Sequence, residues 1–254
     1  ERLGRYHSTL KPGLNILIPY MDVVAYRLPT KDIILDVQQQ EIITRDNAVI
    51  VTSATYRQSS LGNQANEKID TSNAFLWRMN RRKLEAEAVN DSVLSVAGKL
   101  DLTMGGPGFQ DFVIDKPQHS PHYEYDQHDV EDPKSHRRSV YRFIVRSQPQ
   151  PFLTVLDCAD PSMSVASRNE TVNALQALAM RNNRLTVAMA KHFAARVAKE
   201  ASAPPAQIDL AFRLALGRPP SANEAEAMSG YVREHGLTNL CRLIFNLTEF
   251  NFVD

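Results

Sequence analysis

Apolar residues recur at three- and four-residue spacing through the C-terminal part of the chain. This rhythm predicts helices at 171–180, 184–200, 205–216, 221–234 and 237–249. Pro204-Pro205, Gly217 with Pro219-Pro220, and Gly236 fall between them, where helices stop and start. Ser221 and Glu224 have the spacing of a capping box, in which each side chain accepts from the other's backbone amide. Upstream, Leu84, Ala88, Val89, Val93, Val96 and Ala97 form a helical stripe within 81–99, and Gly98 stands where a left-handed residue would close it. The period changes at 139–146. Tyr141, Phe143 and Val145 alternate there with Arg142 and Arg146, and Arg138 continues the guanidinium face, so a short strand is predicted. Residues 1–53 also read as β. Short apolar or β-branched runs at 14–18, 32–37, 41–44 and 49–52 are separated by Gly13, Pro19, Pro29 and Asp46-Asn47. The predicted class is α+β, mainly α: a helical C-terminal body, a short β strand near 139–146 and an N-terminal β-hairpin-like appendage.

Two stretches break the pattern. Residues 54–80 are polar and turn-prone around Phe75-Leu76-Trp77, which is predicted as a buried anchor. Residues 101–136 are predicted as a long exposed loop. Gly105-Gly106-Pro107-Gly108 suits neither a helix nor a central strand, and Pro117, Pro121 and Pro133 follow among histidines and acids.

Composition adds little to this picture but excludes several classes. The apolar share, 43%, and the charged share, 23%, are ordinary for a soluble globular domain. Lys plus Arg number 29 and Asp plus Glu number 29, so no overall charge draws the chain to nucleic acid, and no nucleic-acid partner is expected. No apolar run reaches the roughly 18–20 residues of a membrane span, so no transmembrane segment is expected in this fragment. The chain opens on Glu1 and reads as a fragment, with any targeting signal upstream. Cys158 and Cys241 are too few for a disulfide scaffold. They are expected as buried thiols, with one long-range disulfide as the alternative.

The candidate chemistry is sparse. His119, His122 and His128, with Glu124, Asp126, Asp129 and His136, offer imidazole and carboxylate for a transition metal, although a Pro-interrupted loop is a poor scaffold for ligands that must be held in place by neighbouring hydrogen bonds. Arg137, Arg138, Arg142 and Arg146 offer guanidinium forks to an acidic glycan, sulfate or phosphate, the last three on one face, with Trp77 as the aromatic candidate. The competing expectation is that these arginines pair with the preceding acidic loop or guard an edge strand. Glu85, Glu87 and Asp91 lie along one helix, not across a cleft. They are expected to form a salt-bridged surface with Arg81 and Lys83 and not a hydrolase carboxylate pair. The sequence contains no Gly-x-Ser-x-Gly elbow, no His-Glu-x-x-His, no Cys-x-x-Cys and no Cys-x-x-Cys-His. No catalytic residue and no cofactor is expected.

Two resemblances divide the chain. Arg2-Leu-Gly-Arg-Tyr6, Leu10-Lys-Pro-Gly-Leu-Asn15, Leu17-Ile-Pro19, Asp36-Val37 and Thr44-Arg-Asp-Asn47 resemble the start of an SPFH domain, of the stomatin/prohibitin/flotillin family. Thr52-Ser-Ala-Thr-Tyr-Arg57, Leu76-Trp77-Arg78, Leu100-Asp-Leu-Thr-Met-Gly-Gly-Pro107, Arg137-Arg-Ser-Val-Tyr-Arg142, Asp157-Cys-Ala-Asp-Pro161 and Asn246-Leu-Thr-Glu-Phe250 are similar to something else. They resemble the C-terminal domain of unknown function of large planctomycete cytochrome-c-like secreted proteins. The expected organisation is therefore a truncated SPFH-like β segment at 1–51 and a mainly helical domain at 52–254. The join near Asn47–Thr52 reads as a natural fusion, an engineered junction or a misjoined gene fragment. The second resemblance implies a periplasmic or secreted setting and brings no established reaction. The expected function is that of a non-catalytic structural or ligand-binding module of an extracytoplasmic bacterial protein, with a polysaccharide or acidic glycan as partner. The alternatives are a membrane-associated stomatin/prohibitin-like scaffold and a metal-dependent hydrolase using the His-rich loop.

Overall fold

Six of the eight α-helices among the described residues follow the period read from the sequence. In the computed structural model, residues 54, 57–115, 121–165 and 168–253 are described. The chain divides into the units Glu1–Gln40 and Glu41–Asp254, and everything below concerns the second. The appendage expected at 1–51 lies outside the described residues.

The helices are α1 (Gln64–Ile69), α2 (Ala86–Val96), α3 (Pro151–Val155), α4 (Ala174–Asn182), α5 (Arg184–Glu200), α6 (Pro204–Leu216), α7 (Ala222–His235) and α8 (Leu237–Phe245). Helix α5 is the central element. Thr186, Met189, Ala190, Phe193, Ala194 and Val197 fall on one stripe and are buried, and its principal packing is against Leu240, Cys241, Ile244 and Phe245 of α8. Phe193 and Phe245 stack at 5.7 Å between ring centres, and Phe250 packs on Phe245 at 5.2 Å. Cys241 is a core residue whose thiol is pushed up to about 12 by burial, as expected for a small hydrophobe.

Helix ends carry the predicted caps. Gly98 takes a left-handed φ of 72°; its amide reaches Ser95 O and the Lys99 amide reaches Leu94 O, a pattern that a residue with a Cβ adopts at a cost. The Ser221 hydroxyl accepts from the Glu224 amide at 3.3 Å, and Glu224 accepts from the Ser221 amide at 2.7 Å. Arg218 clasps both Glu224 and Glu249, so its guanidinium first, and the Ser221 amide second, hold the Glu224 carboxyl down at about 2. Replacing Ser221 by Ala is expected to lower stability by about 1 kcal/mol, seen in a thermal scan as a melting temperature lower by about 2–4 °C.

Strands are short, and two antiparallel pairs are present among the described residues. Strand β1 (Arg82–Lys83) pairs with β4 (Phe252–Val253), and β2 (Val113–Asp115) pairs with β3 (His122–Glu124). The mainly α class therefore holds, but the strand expected near 139–146 is absent. Ser139–Tyr141 is a 3₁₀ turn, and only Arg142 bridges to Phe109. A distant acid captures the backbone here: Asp91 on α2 accepts from both the amide and the hydroxyl of Ser139, at 2.8 and 2.6 Å, and holds the turn where alternation alone would extend the chain.

Several described residues within 101–136 pack into the body. Phe109 and Phe112 are buried, and Phe112 meets Tyr123, Tyr125 and Phe143 edge-on. Arg137 donates to the carbonyls of Thr103, Gly105 and Pro107 and lies on the Tyr141 ring, gathering the Gly-rich turn around one guanidinium. Phe75-Leu76-Trp77 is not a buried anchor. Phe75 is 83% exposed; the turn is held from inside by Asp70, which accepts from the amides of Ala74 and Phe75 and whose carbonyl accepts from the Trp77 indole.

A buried polar knot ties the start of the body to its middle. Lys83 Nζ donates to Asp157 Oδ2 at 2.6 Å, to Thr171 O at 2.7 Å and to Gln176 Oε1 at 3.2 Å. Asp157, itself at a left-handed φ of 70°, accepts in addition from Thr171 and Gln176. Lys83 thus turns to Asp157 and not to Glu87, the partner its i,i+4 spacing suggested.

Candidate functional site

The site begins with Asp91 and Asn90 on α2. Asp91 pins Ser139, Asn90 donates to the same hydroxyl at 3.0 Å, and the turn that follows directs Arg142 inward. Phe109 runs alongside: its amide donates to Tyr141 O at 3.0 Å and its carbonyl accepts from Phe143 at 2.8 Å. The approach depends on Gly108, where a Cβ would lie 2.8 Å from Tyr141 O. Two residues beyond Phe109, on the same side of the chain, stands Asp111. From the far side of the β2–β3 hairpin come Tyr125, whose hydroxyl donates to Gln148 O, and His128, which follows the 3₁₀ turn Tyr125–Gln127.

These residues meet around a cavity of about 120 Å³ between the 101–148 layer and the helical body. Its lining is mixed: Leu94, Phe109, Phe152 and Leu185 are apolar, and Asn90, Asp111, Tyr125, His128, Arg142 and Arg184 are polar. Arg142 and Asp111 face each other at 3.8 Å, with side chains only 10% and 13% exposed. That is ion-pair distance but beyond hydrogen-bond reach. Asp111 Oδ1 and His128 Nε2 are buried, and neither has a hydrogen-bond partner among the described residues. Burial pushes the Asp111 carboxyl up, and the Arg142 charge offsets that only in part. Burial likewise raises Asp91 against the pull of its Ser139 bonds. A buried polar atom left without a hydrogen bond costs about 1–3 kcal/mol; Arg78 Nε and Arg137 Nε, away from this cavity, are buried in the same way.

A second polar cluster flanks α2 and has a different character. Arg168 pairs with Glu87 at 2.5 Å and with Glu85 at 3.7 Å, and Cys158 Sγ lies 3.5 Å from Glu87. Burial would raise Glu87, but the Arg168 bond and charge outweigh it and hold the carboxyl down. Burial, then the Glu87 charge, push the Cys158 thiol up to about 11, so at neutral pH it is a thiol and not a thiolate nucleophile.

The sequence-derived candidates are scattered in space. Arg142 lines the cavity, whereas Arg146 donates to Pro161 O at 3.0 Å, and Arg138 lies near Asp91. With no strand at 139–146, the three do not share a strand face. Trp77 is half-buried beside Arg78. His128 reaches the cavity and His122 sits on β3; His119 lies outside the described residues. Among the described residues no group of three His, Cys, Asp or Glu is placed to hold a metal ion. Sequence reasoning missed Asp111 and Tyr125. The signal for Asp111 was a carboxylate inside the run Phe109-Gln-Asp-Phe-Val113, where an acid among apolar neighbours has a structural or chemical reason to be there.

The PSD1 family, described as a protein of unknown function (DUF1553), matches residues 27–232. The chain belongs to the PSD1 family. Every residue of the cavity lies inside the PSD1 match, as do the Lys83–Asp157 knot and the Arg168 cluster. A separate likeness is short. Stomatin-like protein 2, mitochondrial, is 46% identical over 50 residues in both Bos taurus and Homo sapiens, which is 20% of this chain and 14% of each relative. An uncharacterized protein of Methanocaldococcus jannaschii is 45% identical over 53 residues, 21% of this chain and 26% of its own length. The chain therefore spans only a small part of these relatives. No solved structure matches it. No helix among the described residues is long and apolar enough to cross a membrane.

Proposed function

We propose that this PSD1 protein is a ligand-binding module of an extracytoplasmic bacterial protein, one that grips a polysaccharide and does not transform it. One observation carries this reading: a cavity of about 120 Å³ whose lining mixes apolar side chains with the polar side chains of Asn90, Asp111, Tyr125, His128, Arg142 and Arg184. Binding sites for small polar groups have this make-up, a largely apolar hollow with a few placed hydrogen-bonding side chains. The raised Cys158 thiol and the pairing of Glu85 and Glu87 with Arg168 support binding over nucleophilic or paired-carboxylate chemistry. In this proposal residues 52–254 form the binding body, and residues 1–51 are a stomatin-like segment joined to it. A second reading, a membrane-associated scaffold, draws on the 46% identity to stomatin-like protein 2 but rests on 50 residues.

Titration calorimetry of the full chain against a panel of bacterial and plant polysaccharides tests the proposal. Saturable binding to at least one, weakened at least tenfold by Arg142→Ala, is expected, since Arg142 lines the cavity. Flat isotherms across the panel would sink it.

A further inference from the structure

We propose that α4 seats a two-fold dimer, its outward face packed antiparallel on the same face of a second copy of this chain. The proposal is independent of the cavity and starts from a helix whose sides are reversed. Gln176 and Met180 of α4 are buried, whereas Leu175 and Leu178 are 60% and 57% exposed. Val172, just before the Asn173 cap, is exposed as well. At about 100° per residue, Leu178 lies opposite the buried pair, with Ala174 and Arg181 to one side of it and Leu175 to the other. None of the other α-helices of eight or more residues among the described residues exposes a large apolar side chain.

The helix cannot roll to hide its leucines. Gln176 Nε2 donates to Asp157 Oδ2 at 3.0 Å and to Thr171 Oγ1 at 2.9 Å, and Gln176 Oε1 accepts from Lys83. Met180 belongs to the main core. Both ends are fixed. Asn173 Oδ1 accepts from the Gln176 amide at 2.9 Å, and Asn183, which ends α4, caps α5 by accepting from the Leu185 amide at 2.8 Å. The apolar face is therefore built into the fold, and covering it takes apolar surface out of water without rearrangement.

Charge selects the occupant. Glu170 stands just before α4 and Arg181 in its last turn. Both are exposed, and neither the carboxylate nor the guanidinium has a hydrogen bond or ion pair among the described residues. Arg242 donates to Arg181 O and Asn182 Oδ1, adding a second positive charge at the same end. An antiparallel copy sets each end against the opposite charge. With the two-fold axis midway between Leu175 and Leu178, Leu175 faces the second copy's Leu178, and Arg181 comes opposite the second copy's Val172. Glu170 lies two residues further, at most about 7 Å of chain, a gap that an arginine side chain spans. The contact recurs on the other side of the axis, because a two-fold interface is self-complementary. A parallel pairing sets Arg181 against Arg181 and Glu170 against Glu170. One short helix buries a modest area, so the dimer is expected to depend on concentration.

Sedimentation velocity of the full chain over about a hundredfold range of concentration reads the assembly. A monomer–dimer equilibrium with no larger species is expected. Leu178→Glu is expected to weaken it about tenfold or more, at a urea midpoint near that of the wild type, because Leu178 is exposed in the monomer. Phe75→Glu, which removes an exposed apolar side chain elsewhere, is expected to leave the dimer unchanged. Glu170→Arg and Arg181→Glu are each expected to weaken it about threefold, since exposed ion pairs contribute little singly, and the double variant is expected to restore it. The proposal is overturned by a monomer at every concentration or by an open series of larger oligomers. It is equally overturned by a dimer indifferent to Leu178→Glu, by one as sensitive to Phe75→Glu, or by single charge changes that the double variant does not rescue.

Discussion

Replacing Lys83 by Met is expected to remove about 3–5 kcal/mol of stability, the usual cost of deleting one partner of a buried ion pair. Urea unfolding followed by circular dichroism reads it as a lower midpoint at unchanged slope. The Lys83 side chain is 7% exposed and that of Asp157 13%, so little water is available to replace the ammonium. What remains is a buried carboxylate at a left-handed backbone position, held by Thr171 and Gln176 alone. The sign with pH follows from the same contacts. Burial by itself would raise the Asp157 carboxyl, but Lys83, Thr171 and Gln176 together hold it below its usual 3.8. A depressed carboxyl stabilises the fold at pH above 3.8 and loses that contribution as pH falls through its folded value. The gap between the wild type and Lys83→Met is therefore widest near neutrality and narrows below pH 3.8. A gap that stays constant between pH 7 and pH 3, or widens on acidification, would show that the knot does not carry the effect. The double variant Lys83→Met, Asp157→Asn is expected to recover much of the loss, since Asn tolerates the left-handed conformation and leaves no buried charge.

Phe245→Ala is expected to cost about 3–5 kcal/mol, in the range of buried Phe truncations. Phe245 is fully buried, stacks on Phe193 and packs on Phe250, so three chain segments lose contacts at once: α5, α8 and the 3₁₀ turn Thr248–Asn251. Thiol trapping under native conditions gives an independent reading. Cys241, one turn before Phe245 on α8, is buried and its thiol is pushed up to about 12. In the wild type it should react only through unfolding; in Phe245→Ala its labelling should accelerate in step with the lost stability. Labelling at the wild-type rate despite a lower urea midpoint would mean that the α5–α8 seam is not where the variant opens.

The helical body was legible because its order is local. The stripe on α5 and the capping box at Ser221 are written within a few turns of chain, and Gly98 marks a helix end by its backbone freedom alone. The site was legible only in part, His128 and Arg142 having been named from the sequence as members of separate sites and Asp111 not at all, for a physical reason. Asp111, His128 and Arg142 belong to three separate stretches, and what assembles them is a set of long-range polar contacts, chiefly Asp91 to Ser139 and Arg137 to the carbonyls of the Gly-rich turn. Alternation at 141, 143 and 145 implied a strand, but capture of Ser139 by an acid on another element overrode it. The exposed Phe75 misled in the same way: an aromatic inside a polar stretch implied burial, whereas the turn around it is closed by Asp70 from within.

The pairing of Arg82 with Val253 has a mechanical consequence. Any chain entering before Arg82 and any chain leaving after Val253 meet the body at the same point, side by side. Tension applied at these two ends would therefore bypass helices α2 to α8 and act on two short antiparallel strands end-on. Such strands open like a zipper, one rung at a time, beginning at Arg82–Val253 and passing to Lys83–Phe252. The next rung to yield is Leu84 to Asn251, immediately beside the Lys83 ammonium. Under load, the resistance of this body would be set at its latch and not by the depth of its core.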